Sequence, residues 1–210
     1  MIYDLTHLIA PGMPVYPGTA APTLTPAGTM EDDGFRETML TMTSHTGTHM
    51  DAPSHMLVDG SSLDQLEISH FGGRAIVIDC SDLRGKSITM NLLMSYQREL
   101  ETADFVLFRT GFESRWGSEE YFGDFAVPDQ RAMWMLTELG LKGIGTDACS
   151  IDPMSDTDFP NHKAMFAANM VSIENLRLAE LPAGRLFPFY ALPMHYLHAD
   201  GAPVRAIAVL

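Results

Sequence analysis

Cysteine and basic residues are both scarce in this sequence, and each shortage excludes a class of protein. Two cysteines, Cys80 and Cys149, are too few for a disulfide framework and predict a reducing, cytoplasmic environment. Lysine and arginine together number 13 against 27 aspartates and glutamates, which gives a formal net charge of -14. Because such a surface repels phosphate backbones, we expect no nucleic-acid partner.

Long apolar runs and internal repeats are also lacking. No stretch of about 18 residues is free of charge and proline, and residues 1–5 lack the basic start of a secretory signal. We therefore expect no membrane partner. Hydrophobic residues make up 46% of the chain and charged residues 19%, so the sequence can build a core. Without repeats or a linker-like segment, it predicts one domain over residues 1–210.

Short β-rich runs bounded by Gly, Pro, Asp or Ser predict at least six strands. These runs cover residues 37–43, 74–80, 104–110, 143–147, 186–192 and 204–209. Two other segments predict helices, one over residues 89–101 and one over residues 128–139, which starts at Pro128 and ends before Gly140. The mixture of elements predicts the α/β class.

A cluster of histidines carries the functional signal. Three of the eight histidines lie within the segment His45-Thr-Gly-Thr-His49-Met-Asp51-Ala-Pro-Ser-His55. The named histidines and Asp51 share one parity, so an extended backbone would place them on one face and Met50 in the core. On a straight strand His45 and His49 would lie about 13 Å apart, too far to share an ion. We therefore expect the backbone to bend at Gly47.

Two imidazoles and a carboxylate, from His45, His49 and Asp51, suit a divalent ion, with zinc as first choice and manganese as the alternative. Three protein ligands leave a position open for water, which indicates catalysis rather than a closed structural site. Ordinary turn residues are the competing interpretation of an isolated His-x3-His, but Asp51 and His55 favour the metal site. Thr46 stands where the helical zinc-protease motif requires glutamate, so that motif is excluded.

Outside the cluster, residue type and spacing alone do not separate functional residues from structural ones. Spacing does not single out His162 and Glu174 from the other histidines and acids. His70, His195 and His198 are not assigned to the site. Asp147 and Asp152 follow an apolar strand and open a loop, where either function or turn capping is expected.

The segment from His45 to His55 resembles the motif of the cyclase family of metal-dependent hydrolases, which includes bacterial-type kynurenine formamidases (arylformamidases) and isatin hydrolases. Similar segments occur in the family's order along almost the whole chain. They include Pro14-Val-Tyr16-Pro-Gly18, Arg109-Thr-Gly-Phe, the run from Gly145 to Asp152, and Asp200-Gly-Ala-Pro-Val-Arg205. The resemblance implies a swivelling β/β/α fold with a mixed sheet, and a homodimer or higher homo-oligomer.

The resemblance also implies roles for individual residues. It assigns one ion to His45, His49 and Asp51, and a second ion, bridged by Asp51, to His162 and Glu174. His55 is the implied proton donor and acceptor. Tyr16 stands where formamidases acting on N-formylkynurenine have a tryptophan that packs on the substrate. We expect Tyr16 to contact the substrate, and its segment to reach towards a neighbouring subunit's site.

These observations lead to one principal hypothesis and two alternatives. The principal hypothesis is hydrolysis of an amide, formamide or lactam, for example N-formylkynurenine, by a metal-bound hydroxide with His55 as proton shuttle. A metal-dependent cyclase or dehydratase that acts through a metal-stabilised enolate would use the same residues. A metal-stabilised binding protein is the alternative from another class. The sequence leaves the substrate, the native metal, the number of ions and the oligomer size open.

Overall fold

The computed structural model describes all of residues 1–210. The strands are β1 (Ile2–Asp4), β2 (Thr23–Gly28), β3 (Glu37–Thr41), β4 (His49–Asp51), β5 (Gly72–Asp79), β6 (Ser87–Ile88), β7 (Phe105–Arg109), β8 (Val127–Pro128), β9 (Gly143–Thr146), β10 (Val171–Glu174), β11 (Leu186–Pro193) and β12 (Gly201–Val209). The α-helices are α1 (Met90–Met94), α2 (Gln97–Leu100), α3 (Gln130–Thr137) and α4 (Pro160–Ala167). Short 3-10 helices cover Pro53–His55, Leu63–Gln65, Ile68–Phe71, Ser81–Leu83, Phe112–Arg115 and Glu119–Phe122. None of the helices combines the length and apolar character needed to span a membrane.

Eight strands form a mixed sheet that closes on itself. The strand order is β1-β12-β11-β5-β7-β9-β10-β4, and β4 also pairs with β12. Neighbouring strands from β5 through β7 and β9 to β10 are parallel, while the other pairings are antiparallel. One edge of β12 pairs with β11, and its other edge pairs with both β4 and β1. Seven strands therefore form a ring. Together with the α-helices, this sheet of parallel and antiparallel strands confirms the predicted α/β class and mixed sheet.

Alternation along the strands separates two hydrophobic cores. Inward-facing residues such as Val77, Leu107 and Ile173 fill the ring, and Met50 is fully buried among them, as its parity predicts. The opposite face of the parallel strands packs against the four helices, with residues such as Ile76 and Val106 in that second core. The outer face near β4 and β10 carries polar residues instead, and this is where the histidine cluster lies.

All six predicted strands are present, as β3, β5, β7, β9, β11 and β12, and the predicted helix over residues 128–139 is α3. The helix predicted over residues 89–101 is divided into α1 and α2. The division falls at Ser95 and Tyr96, and Tyr96 leaves the helical conformation with φ -117 and ψ 18. Neither serine nor tyrosine is a strong helix former, and the Tyr96 ring packs against the second core, so tertiary packing prevails over helix continuity.

The strands β2 and β3 form a two-stranded ribbon outside the main sheet. Every residue of the ribbon except Gly28 is exposed. Its exposed apolar side chains include Leu24, Met39 and Leu40. A two-stranded ribbon is marginally stable alone in water, and its exposed apolar side chains are available for contact with another surface.

The segment after β1 is held by His7, whose ring stacks on Trp116 with the ring centroids 3.9 Å apart. The Nε2 atom of His7 is buried without a hydrogen-bond partner. Burial, together with the charge of Arg177, lowers the pKa of His7 to about 4. An unfolded histidine has a pKa of about 6.5, so the unfolded chain takes up a proton at a higher pH than the folded protein does.

The His7→Phe variant tests this pKa. Phenylalanine keeps the stack on Trp116 but does not titrate. The contribution of the neutral His7 to stability is complete above pH 6.5 and declines as the pH falls through 6.5 towards about 4. We therefore expect the wild type to lose unfolding free energy relative to His7→Phe between pH 7.5 and pH 5, measured by urea unfolding of metal-stripped proteins. A difference that stays constant over this range would contradict the lowered pKa.

Candidate metal centre

The centre lies on the outer face of the ring, where β4 and β10 pair side by side. In this antiparallel pairing Glu174 lies opposite His49, and Ser172 lies opposite Asp51. Met50 and Ile173 point into the inner core, so alternation directs His49, Asp51 and Glu174 to the other side of the sheet. Helix α4 packs against β10 and places His162 next to Glu174.

The bend at Gly47 is confirmed, and it brings His45 back to the strand. Gly47 has a φ of 68°, in the left-handed region. The side-chain amide of Asn175 donates to the Gly47 carbonyl at 2.7 Å and holds the turn. His45 thereby leaves the line of β4, and its Nδ1 lies 2.6 Å from Oδ1 of Asp51. Pro53 then begins the 3-10 helix Pro53–His55, so His55 stands on a helical turn rather than on an extension of the strand.

The Gly47→Ala variant is expected to lose stability and metal affinity together. A left-handed alanine costs about 1 to 2 kcal/mol, and the new Cβ would lie 3.3 Å from Cγ1 of Ile9. Gly12→Ala is the matched control, because Gly12 has a φ of 80° but no neighbouring atom within 4 Å of the place that its new methyl group would occupy. Urea unfolding should show a loss in both variants, whereas metal titration should show a loss in Gly47→Ala alone. Equal metal affinity in the two variants would contradict the role of this bend.

Asp51 lies between two groups of possible ligands. Its Oδ1 is 2.6 Å from Nδ1 of His45 and 3.2 Å from Nε2 of His49. Its Oδ2 is 3.8 Å from Nε2 of His162, which is 3.0 Å from Oε1 of Glu174. The five residues therefore form two groups that could each hold an ion, His45-His49-Asp51 and Asp51-His162-Glu174, with Asp51 common to both.

Each of these three histidines has one ring nitrogen bound to an acceptor outside the two groups. Nδ1 of His49 donates to the Gly47 carbonyl at 2.9 Å, and Nδ1 of His162 donates to Asp152 at 2.7 Å. Nε2 of His45 lies 3.0 Å from Oδ2 of Asp200. The remaining nitrogen of each ring faces the carboxylates of the centre. Metal-binding histidines typically have such an outer acceptor, because it fixes the ring orientation and the tautomer.

The charges in the centre balance one another across short distances. Burial would raise the pKa of Asp51, but the neighbouring His49 and His45 outweigh burial and hold this pKa well below its usual value. Burial and the nearby Asp51 charge raise the pKa of Glu174. Burial opposes protonation of His162, yet hydrogen bonds to Asp152 and Glu174 raise its pKa to about 10. Two buried carboxylates thus depend on positive charge between them, and a divalent ion would supply that charge.

His55 stands beside the two groups that share Asp51, and its donor atoms also lie close to those of His45 and Asp200 in a third, more exposed set. Its ring lies against that of His45 with the centroids 4.0 Å apart, and its Nδ1 is 3.8 Å from Oδ2 of Asp200. Its side chain is 30% exposed, more than those of His45 and His49, but its partial burial still lowers its pKa. A neutral imidazole at the edge of the centre can accept a proton from one side and release it to the other.

A cavity of about 330 Å³ opens over the centre. Aromatic rings and aliphatic side chains form much of its wall, and none of the lining residues is lysine or arginine. Its walls beyond the histidines and carboxylates are Pro14, Val15, Tyr16, Thr19, Thr43, Gly47, Met56, Tyr121, Phe122, Cys149, Ser150, Phe159 and Asn175. Tyr16 thus lines the pocket of its own chain. The volume suits a small aromatic molecule.

The structure brings together all six residues predicted as metal ligands or proton carrier, and it adds two. Asp152 is fully buried and accepts from Nδ1 of His162, so its carboxylate supports the centre. Asp200 supports the ring of His45 through its contact with Nε2. Asp147 has a different role, because it accepts hydrogen bonds from the backbone and hydroxyl of Thr110 and from the backbone of Gly111. His195 and His198 lie outside the centre.

The chain matches the family described as "Putative cyclase" over residues 3–153. It is 32% identical to the kynurenine formamidase of Salinibacter ruber over 209 residues, which cover 98% of this chain and 96% of that protein. It is 37% identical to the kynurenine formamidase of Bacillus cereus over 170 residues, 80% of this chain and 77% of that protein. The fold is similar to that of isatin hydrolase A from Labrenzia aggregata bound to benzyl benzoate, with a TM-score of 0.89, 27% identity and coverage of 99% and 93%.

Proposed function

This chain belongs to the cyclase family and is a metal-dependent hydrolase of amide bonds, and on that premise we propose that its substrate is an aryl formamide or an aryl lactam. Kynurenine formamidases and an isatin hydrolase are its relatives, and both kinds of enzyme act on non-peptide C–N bonds. The observation that carries the proposal is the position of the two Asp51-sharing ligand groups at the base of a pocket with aromatic walls.

The donor set fits divalent ions. His45, His49 and Asp51 would hold one ion, and Asp51, His162 and Glu174 would hold a second. Imidazole and carboxylate donors without thiolate suit zinc, which we propose first, and manganese, which is the alternative. A divalent ion in such a site lowers the pKa of a bound water and polarises a carbonyl oxygen.

The remaining chemistry falls to side chains of this chain. In our proposal His55 takes the proton from the attacking water and delivers it to the leaving nitrogen, a transfer that its position beside His45 allows. Tyr16 and Phe159 flank the cavity and would hold the aryl ring.

The experiment compares hydrolysis of N-formylkynurenine and isatin by protein that is stripped of metal and reloaded separately with zinc or manganese. We expect turnover only after reloading, with one oxygen atom from solvent in the product. Incorporation of solvent oxygen separates hydrolysis from the cyclase or dehydratase alternative, which would give a ring-closed or dehydrated product without it. Absence of turnover on both compounds, with metal demonstrably bound, would reject both of these substrates and leave another amide or the cyclase reaction.

We also propose that the chain forms a homodimer or higher homo-oligomer in the cytoplasm. The exposed ribbon β2–β3 supports a second copy as the covering partner, since it leads directly into the loop that carries His45. The two free cysteines of the chain, Cys80 and Cys149, agree with a reducing compartment. Light scattering after size exclusion is expected to give at least twice the 23.1 kDa chain mass. The double variant Met39→Asp, Leu40→Asp should shift the mass towards the monomer, and an unshifted mass would exclude this ribbon from the interface.

A further inference from the structure

Asp200 lies outside the two groups that share Asp51, but it contacts His45 of the first group directly and also lies 3.8 Å from Nδ1 of His55. Its Oδ2 is 3.0 Å from Nε2 of His45 and accepts from the Ser44 hydroxyl at 3.3 Å. The hydroxyl of Tyr196 lies 3.5 Å from its other oxygen. Since Nδ1 of His45 faces Asp51, the ring is held between two carboxylates, one at the centre and one behind it.

Gly201 provides a second contact with the same ring. A Cβ atom at Gly201 would lie 2.5 Å from Cε1 of His45 and 2.9 Å from its Nε2, a distance at which the ring would have to move. Gly201 pairs with Asp51 in the register of β12 and β4, and the Asp200 carbonyl accepts from the Ala52 backbone at 2.9 Å. The backbone of both residues is therefore held against the strand that carries the ligands.

We propose that Asp200 and Gly201 are positioning residues for His45: Gly201 leaves the space for the ring, and Asp200 orients it for metal binding. The inference rests on the proposed metal site. His162 already has a fully buried acceptor in Asp152, whereas the Asp200 side chain is 45% exposed. Removal of a carboxylate behind a ligating histidine lowers metal affinity by about 10- to 100-fold in known sites. Of the two groups that share Asp51, only one contains His45, so the loss should fall on one of the two ions.

Zinc dissociation constants, measured by competition with a chromophoric chelator, test the proposal with four variants. Asp200→Asn keeps an acceptor oxygen but loses the charge, so about a 10-fold loss is expected for one ion. Asp200→Ala loses both, so about a 100-fold loss is expected. Gly201→Ala should weaken the same ion while Asp200 is intact. Asp59→Asn is the matched control, since Asp59 is an exposed carboxylate close in sequence to the motif, and it should leave both affinities unchanged.

The thermal unfolding midpoint of each metal-stripped protein separates positioning from a general loss of structure. We expect the Asp200 variants to unfold within a few degrees of the stripped wild type and to gain less than it does when zinc is added. Wild-type affinity for both ions in Asp200→Ala would overturn the inference. So would an equal loss in Asp59→Asn, which would assign the effect to net charge alone. If the wild type itself bound no metal, the proposed metal site would fail instead, so the two failures are distinct.

Discussion

Replacement of His55 by glutamine is expected to lower kcat by about 100- to 10,000-fold while the bound metal remains. His55 stands next to His45 with ring centroids 4.0 Å apart, but it belongs to neither of the groups that share Asp51. Glutamine is of similar size and can hydrogen-bond, yet it cannot exchange a proton near neutral pH. Steady-state kinetics on the accepted amide, together with metal content by mass spectrometry, measure the two effects separately.

His195→Gln is the control for this substitution. His195 is an exposed histidine outside the metal centre, so the same change there should leave both kcat and metal content at wild-type values. Near wild-type kcat in His55→Gln would show that another group moves the proton. Loss of metal in that variant would instead make His55 a ligand, in place of the role proposed above.

The Asp51→Asn substitution is expected to remove both ions and to lower kcat/KM by more than about 1,000-fold, because each ligand group then lacks its shared carboxylate. Asparagine preserves the volume of the side chain but offers one neutral oxygen where two charged ones stood. In the wild type, an ion present at 100 times its dissociation constant adds about 2.7 kcal/mol to the unfolding free energy. Asp51→Asn should show little of this gain in urea unfolding with and without zinc.

Glu174→Gln is the informative comparison, since Glu174 belongs to one ligand group only. It should lose one ion per chain and keep the ion of His45, His49 and Asp51. If Asp51→Asn lost no more metal than Glu174→Gln, Asp51 would not be shared between two ions. If both variants retained two ions, neither carboxylate would be a required ligand.

The parts of the centre that are close in sequence were predictable. Alternation along β4 correctly separates Met50 from His49 and Asp51, and the distance between His45 and His49 requires the bend that Gly47 provides. These inferences use only the geometry of a short extended segment. The same local reasoning predicted the longer strands of the sheet, because their apolar runs and glycine or proline boundaries lie within the strands themselves.

The distant parts had no local signal. Glu174 meets the motif because β10 pairs with β4, and that pairing joins segments more than 100 residues apart. His162 reaches the motif from α4, which packs against β10. Helix α4 was not predicted, and its start explains why. Phe159 precedes it with a left-handed φ of 52° and no capping side chain, while Asp152 accepts from the backbone amides of Asn161 and His162 in place of a local cap. Only resemblance to a family suggested His162 and Glu174, and nothing assigned roles to Asp152 or Asp200.

The two-sided pairing of β4 has a kinetic consequence. The strand that carries His49 and Asp51 is complete only when β12 pairs with it, in a register that places Gly201 opposite Asp51. Such a contact between distant segments incurs its loop-closure cost before it gains packing, so we expect it to form late in folding. An ion that needs the closed ring cannot stabilise the transition state that precedes closure. We therefore expect bound metal to lower the unfolding rate and to change the folding rate little.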